Sequence, residues 1–537
     1  MSSNAPKASA GSEKVTFEVD TSSKDDARVA QDVRAVQRDQ AVPPYDQIQD
    51  DDLKEDEGAT ARNRTLLTSD EERKLFKRID IRLLPLLAVM YVVKTMDAAN
   101  VSNARIMDRG TKHNIMTELG MSANDYNFVT VAYYIPYIVA EAPSNLLLKY
   151  FSPSVWQARV MVSWGIVLVC HAAVTNAGGL YTVRALLGLF EAGLWPGILL
   201  QLCYWYRPDE IAKRIVLVTV LGNFSAVFGG LLAFGFNGVN TAGLSSWKWL
   251  ILTEGIFTTA LGVVVYFYLP DFPGTVEWLT DKEKTFLEAR LPSASPRSEE
   301  SDFDWQEFKN TLKDYRLWLF VFVWAFYTIG PCRTTGLTFY QPTVIADLGF
   351  TTVGHAQLLT IPPAVFSCML VLFFGWVVQT ARIPTPSVPM FFMIAIEVCY
   401  VVEYTYPNIG GVYAATMLAG GFSTAWYNLM WPWRVQTISG ATGSAFAIAF
   451  ANSYGQIGGA VGAQLFNSKY APKYTTSFAI AMGFVGLAIV TAGITWYFTG
   501  KVDVETRKIR RARIAAAKEN KAVLDDVEVK DVRSDRV

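Results

Sequence analysis

Apolar residues gather along this chain in long blocks. Leu83 to Val93 extends through Met96 to Val101, and Val160 to Val174, Ile215 to Phe236, Trp249 to Leu269, Leu317 to Ile329 and Ile361 to Val378 follow. A helix rising 1.5 Å per residue needs roughly 20 apolar residues to match a hydrocarbon core of ~30 Å. The blocks therefore predict membrane spans, near 82–104, 124–148, 155–175, 180–205, 212–236, 248–269, 316–341, 355–378, 384–405, 410–431, 440–465 and 475–498. This is an all-α polytopic membrane protein with twelve spans in two six-helix bundles. The predicted units are a disordered cytosolic tail at 1–78, an N-terminal bundle at 79–269, a cytosolic central loop at 270–315, a C-terminal bundle at 316–499 and a cytosolic tail at 500–537.

Composition agrees, since 51% hydrophobic and 18% charged residues with 15 Trp is too apolar for an ordinary soluble protein. The net charge of −1 matters less than its distribution. Residues 1–78 are polar, acidic from Gln49 to Glu57, and contain no apolar signal segment. Basic residues stay on the cytoplasmic side, and Lys149, Arg207, Lys213, Arg214, Arg382, Arg434 and the run Arg507 to Arg513 put both termini inside. Arg105, Arg109 and Lys112 run against that rule. The five cysteines lie in apolar segments without paired spacing, so neither disulfides nor zinc ligation is expected.

Offsetting the second half by about 233 residues lays span 5 over span 11, Gly222-Asn223 on Gly455-Gln456 and Gly229-Gly230 on Gly462-Ala463. Small residues at a packing seam explain each site singly. The shared register points further, to two related halves with a ligand site between them.

Ionisable groups inside spans carry the chemistry, because a charge at the bilayer centre costs ~3 kcal/mol or more and is kept where it meets water or a partner. In span 1, Lys94 and Asp97 have the spacing of an ion pair, with Asn100 next on that side. In span 4, Arg184 and Glu191 are two turns apart on one face. The arginine is a natural carboxylate receptor, and a desolvated glutamate can exchange a proton near neutral pH. A charge network that only locks helices together is the competing reading for both spans. Glu141 and Glu254 are expected as gate or helix-end contacts. Arg333, beside Pro331, sits where a helix would break and could face the cavity; Arg434 is expected to snorkel from the end of span 10. Glu397 and Glu403 in span 9 have no evident role. No Walker A, metal-binding or G-x-S-x-G pattern occurs, so neither an enzyme nor a cofactor or metal site is expected.

Over about residues 78–500 the chain resembles the fungal allantoate permease family, the anion:cation symporter branch of the major facilitator superfamily. The resemblance rests on Asp80-x-Arg82-Leu-Leu-Pro85, Asp97-x-x-Asn100, Glu141-x-Pro143-Ser144-Asn145, Trp164-Gly165, the run from Arg184 to Pro196-Gly197, Trp249-x-x-x-x-Glu254-Gly255 and Leu269-Pro-Asp-Phe-Pro273. It implies the major facilitator fold, alternating access and proton-coupled import of a small organic anion or carboxylated, vitamin-like nutrient. It implies Arg184 as anion receptor and Glu191 as the coupling carboxylate; the residues themselves add Asp97 as the other candidate proton carrier and Lys94, Asn100 and Arg333 as cavity-shaping groups. The implied partners are a carboxylate substrate, protons and the lipid bilayer, with no nucleic acid, for a monomer in the plasma membrane. Export of a secondary metabolite and a non-transporting nutrient sensor are the alternatives. The chain departs from the family pattern at Ala98, where relatives often carry a basic residue, and at Gln379-Thr-Ala-Arg382, where many carry an Asp-Arg gate pair.

Overall fold

A computed structural model describes Leu67 and residues 69–291, 303–330, 361–405, 408–438, 441–465 and 475–518. Among these the structure is helical, apart from one isolated bridge between Thr241 and Leu244. The first half comprises α1 (Ser69–Ile106), the short α2 (Ile115–Glu118), α3 (Ala123–Phe151), α4 (Pro153–Cys170), α5 (Ala177–Glu191), α6 (Leu194–Trp205), α7 (Ile211–Asn223), α8 (Ser225–Phe236) and α9 (Ser246–Tyr268). Two polar helices follow, α10 (Asp281–Arg290) and α11 (Trp305–Lys313). The second half comprises α12 (Tyr315–Ile329), α13 (Ile361–Gln379), α14 (Ser387–Thr405), α15 (Ile409–Val435), α16 (Ala441–Gly455), α17 (Ile457–Leu465) and α18 (Thr475–Lys518).

Six segments among the described residues are long and apolar enough to cross a membrane: Pro153–Ala173, Ala177–Trp205, Ile211–Phe236, Ser246–Tyr268, Ser387–Thr405 and Thr475–Ala512. Helices α1 and α3 do not join that set, and both bury a run of polar side chains that belong to the site below.

Three expected spans are each divided in two. The division between α5 and α6 falls at Gly193, whose φ of 93° is open to glycine, and an added Cβ would stand 2.2 Å from Ser144 Oγ. The other two divisions fall at Phe224 and Gln456, one residue from equivalence in the register that relates the halves. That register also pairs Tyr91 with Trp324. A Cβ on Gly222 would meet Tyr91 Cδ1 at 2.1 Å, and one on Gly455 would meet Trp324 Cδ1 at 2.7 Å. The same small-residue-on-aromatic contact thus occurs once in each half. Asn176 and Asn408 repeat as N-caps of α5 and α15, accepting from Gly179 N at 2.8 Å and Gly411 N at 2.6 Å.

The stretch expected as a loop, Asp271 to Tyr315, contains α10 and α11; these are short and polar, so they leave no hydropathy signal. Helix α18 runs well past the predicted span end, held by an Asp503–Arg507 pair at 2.8 Å and by Arg510, which donates to the Asp209 and Val378 carbonyls at 2.9 and 3.1 Å.

The end of the bundle that carries α10, α11 and the end of α18 is bonded shut between the halves. Lys149 Nζ donates to Thr442 Oγ1 at 2.8 Å and Asn145 to the Ala445 carbonyl at 2.6 Å, while Glu307 of the intervening α11 accepts from Gly443 N at 2.9 Å. In the loop at the opposite end of the first half, Glu118 pairs with Lys248 at 2.8 Å and accepts from Ser245 and Trp247. Burial raises its pKa, but these donors outweigh burial and hold it below the usual glutamate value.

Candidate functional site

Helices α4 and α9 approach closely enough that a Cβ on Gly165 would lie 2.8 Å from Thr259 N and one on Gly255 2.7 Å from Val169 N. This seam fixes the depth of Trp164 and Glu254, which meet the polar face of α1. Trp164 Nε1 donates to Asp97 Oδ2 at 2.7 Å, the Asn100 amide donates to Glu254, and Asn103 Nδ2 donates to Asn100 Oδ1 at 2.7 Å. All of these side chains are buried.

The Lys94–Asp97 pair expected from spacing does not form. Lys94 Nζ turns instead to Glu191 on α5, 3.5 Å from Oε1 and without hydrogen-bond alignment, and lies 5.3 Å from the Tyr137 ring centre on α3. Close packing between α3 and α5 brings Tyr133 alongside Glu191, since a Cβ on Gly188 would stand 2.1 Å from the Tyr133 carbonyl oxygen. Tertiary packing overrides the local i,i+3 preference, since Glu191 is 1% exposed and Lys94 is the cation nearest its carboxylate in an ion pair.

Arg184 is 4% exposed, and its Nε has no hydrogen-bond partner among the described residues. It lies within electrostatic reach of Tyr126, Tyr133, Asp97 and Glu191, and Glu254 is a neighbour of the same group. Two cations, Lys94 and Arg184, therefore stand against three carboxylates, Asp97, Glu191 and Glu254. Each carboxylate has a partner of its own, and Arg184 keeps an unused donor.

Glu141, on α3, takes its hydrogen bonds outside this cluster but stays within electrostatic reach of Lys94. It accepts from the Asn452 amide and, at 2.8 Å, from Ser453 Oγ, both on α16, and Tyr427 donates to Asn452 Oδ1 at 2.6 Å. It joins the two halves, whereas Glu254 bonds within the first half. Arg333 lies outside the described residues. Arg434 does not snorkel: it is 2% exposed, with its guanidinium 5.0 Å from the Phe320 ring and Nη1 donating to Thr437 at 3.0 Å. Glu403 is buried and accepts from Thr416 at 2.8 Å. The sequence reading missed Trp164 as a carboxylate partner and Asn452-Ser453 as the second side of a contact. A polar pair in the apolar run of α16 was the available signal.

The Major Facilitator Superfamily profile matches residues 110–463, about two thirds of the chain. The chain belongs to the Major Facilitator Superfamily. It is 30% identical over 444 residues to the MFS-type transporter cnsO of Penicillium expansum, covering 80% of this chain and 84% of that protein. It is 28% identical over 431 residues to a putative tartrate transporter of Agrobacterium vitis, covering 80% of this chain and 95% of that protein. Among solved structures the xylose transporter XylE of E. coli superposes with a TM-score of 0.57 at 14% identity, covering 78% of this chain and 97% of that one, and shares the fold. The chain is thus a multi-pass membrane transporter with the superfamily fold, and members of the superfamily are not enzymes in general.

Proposed function

We propose that this transporter imports a small organic anion, of the carboxylate or carboxylated-vitamin class, together with protons by alternating access between two six-helix bundles. The unpaired donor of buried Arg184 carries the reading. With all five groups ionised, the cluster holds one more negative than positive charge. A carboxylate docking on Arg184 adds another, and in a low-dielectric interior that excess is relieved by binding protons. Anion and proton binding are thereby linked at one site, with Glu191 or Asp97 as carrier and Lys94, Asn100 and Arg333 shaping the pocket. The likeness to a putative tartrate transporter supports a carboxylate cargo. The pattern of basic residues supports cytosolic termini, and plasma-membrane residence is part of the proposal.

The test is uptake of labelled carboxylates (pantothenate, nicotinate, biotin, allantoate, small dicarboxylates) into permease-deficient yeast at acidic and neutral pH, with and without a protonophore. Acid-stimulated, protonophore-sensitive accumulation is expected, and Arg184→Ala abolishes it while the protein stays at the membrane. Undiminished uptake by that variant overturns the assignment of Arg184. Efflux of a metabolite from loaded cells without any uptake replaces import by export.

A further inference from the structure

Where α11 and α12 meet α15, α16 and α18, at the end of the bundle bonded shut, the structure has a cavity of about 790 Å³. Four basic side chains line it: Lys313, Arg316, Arg434 and Lys501. Its two acidic lining groups are already engaged. Glu307 accepts from the Gly443 and Thr442 amides at 2.9 and 3.3 Å, and Asp314 caps α12 through Arg316 N at 2.8 Å. Asp314 is also within electrostatic reach of Arg434, and four cations against these two carboxylates leave the cavity lining with a positive excess. Arg434 is the built part of the site. It is 2% exposed and positioned by Phe320 and Thr437, yet its Nε has no acceptor among the described residues; nor has Arg316 Nε. A buried guanidinium with unused donors beside three further cations matches a phosphate group, whose several oxygens accept charge-assisted hydrogen bonds.

The location distinguishes a lipid from a soluble ligand. Helix α18 is apolar up to Gly500 and begins its charged part at Lys501, and α12 begins its apolar run just after Arg316. The cavity mouth is therefore level with the change from apolar to polar surface. Exposed aromatics stand at the same level, with Tyr497 83% and Tyr315 49% exposed, as aromatic belts do at headgroup depth. We infer that this cavity binds the phosphate-bearing headgroup of an anionic membrane lipid, with Arg434 at its base and Lys313, Arg316 and Lys501 around its mouth. Basic pockets between helices at the membrane surface suit such headgroups.

The full-length protein is reconstituted in nanodiscs of phosphatidylcholine with a minor fraction of phosphatidylinositol, and the lipid retained after extraction is counted by native mass spectrometry. The expected result is retention of phosphatidylinositol in preference to phosphatidylcholine. The K313A/K501A double variant, altered only at exposed positions, lowers the preference by about 25-fold, the product of roughly fivefold for each lysine near an anionic surface. R316Q lowers it as well, and R434K, which keeps the charge but not the fork, tests the base of the cavity. Soluble inositol phosphate that fails to displace the lipid assigns the site to a membrane lipid; displacement at equal concentration keeps the phosphate site and moves its source to the cytosol. Equal retention of both lipids, or an unchanged preference in both K313A/K501A and R316Q, overturns the inference.

Discussion

Replacing Lys94 by Met leaves Glu191 buried without its cation, and the cost can be worked from the geometry. At 3.5 Å and an effective dielectric of about 20, the Coulomb attraction is about 5 kcal/mol. Removing one partner of a buried pair typically costs about 3–5 kcal/mol. This pair lies at or below the low end, because the ammonium is not aligned for a hydrogen bond and because Lys94 recovers desolvation energy when removed. A loss of about 2–3 kcal/mol is expected. With an unfolding entropy of about 2.1 cal/mol/K per residue over roughly 400 ordered residues, that lowers the melting temperature by about 3 °C. Glu191→Gln is milder, since Lys94 keeps 14% side-chain exposure and the Tyr137 ring. The double variant K94M/E191Q should return to within about 1 kcal/mol of the parent, because neither charge is then stranded. Thermal unfolding of the four proteins in one detergent measures the cycle. If the double variant loses the sum of the two single losses, the ion pair does not hold α1 to α5 and the reasoning fails.

Glu141→Ala strands the Asn452 and Ser453 donors and should weaken closure between the halves by about 3 kcal/mol, or roughly 100-fold in population; spin labels at Y150C and W305C report it, and an unchanged distance distribution counts against the contact. Gly222→Leu forces its side chain into Tyr91 and should destabilise by about 1–3 kcal/mol, with partial recovery in Y91A/G222L; melting curves decide. The folded-state pKa of Glu118 lies below its unfolded value, so the unfolded chain binds more protons there as the solution is acidified. The stabilisation is therefore present above about pH 4.5 and lost as pH falls through the folded value, and the melting-temperature difference between the parent and E118Q should be present at pH 7 and vanish at acid pH.

The six segments long and apolar enough to cross a membrane were legible because a run of roughly 20 predominantly apolar residues leaves few other structures open to the chain. The helix breaks at Phe224 and Gln456 were not, since hydropathy is unchanged through a break, and neither were the close contacts of the adjacent Gly222 and Gly455 with aromatics from other helices. The ionisable residues of the cluster were legible for the same reason that they are costly: charges stand out in apolar runs. Their pairing was not. Lys94 has a carboxylate three residues on in Asp97, yet Asp97 takes the Trp164 indole and Lys94 takes Glu191, choices made by helix packing across long sequence separations. Arg434 was misread because its place at a span end suggested exposure, whereas it is 2% exposed, with its guanidinium against Phe320 of α12 and bonded to Thr437.

Helix α3 links these features. Tyr133, Tyr137 and Glu141 recur every four residues and so share one face of that helix. Tyr133 lies against Glu191, Tyr137 receives Lys94 over its ring, and Glu141 reaches α16 in the other half. Glu191 and the contact between the halves therefore lie two turns apart along one packed stripe. A change in the charge of the Lys94–Glu191 pair acts on the tyrosines at once, and Glu141 is the next group on that face with a partner across the interface. Arg184 meets the same stripe, because Tyr133 and Glu191 are among its electrostatic neighbours. Arg184 keeps an unused donor for a ligand, and α3 lies between it and the contact with the opposing bundle.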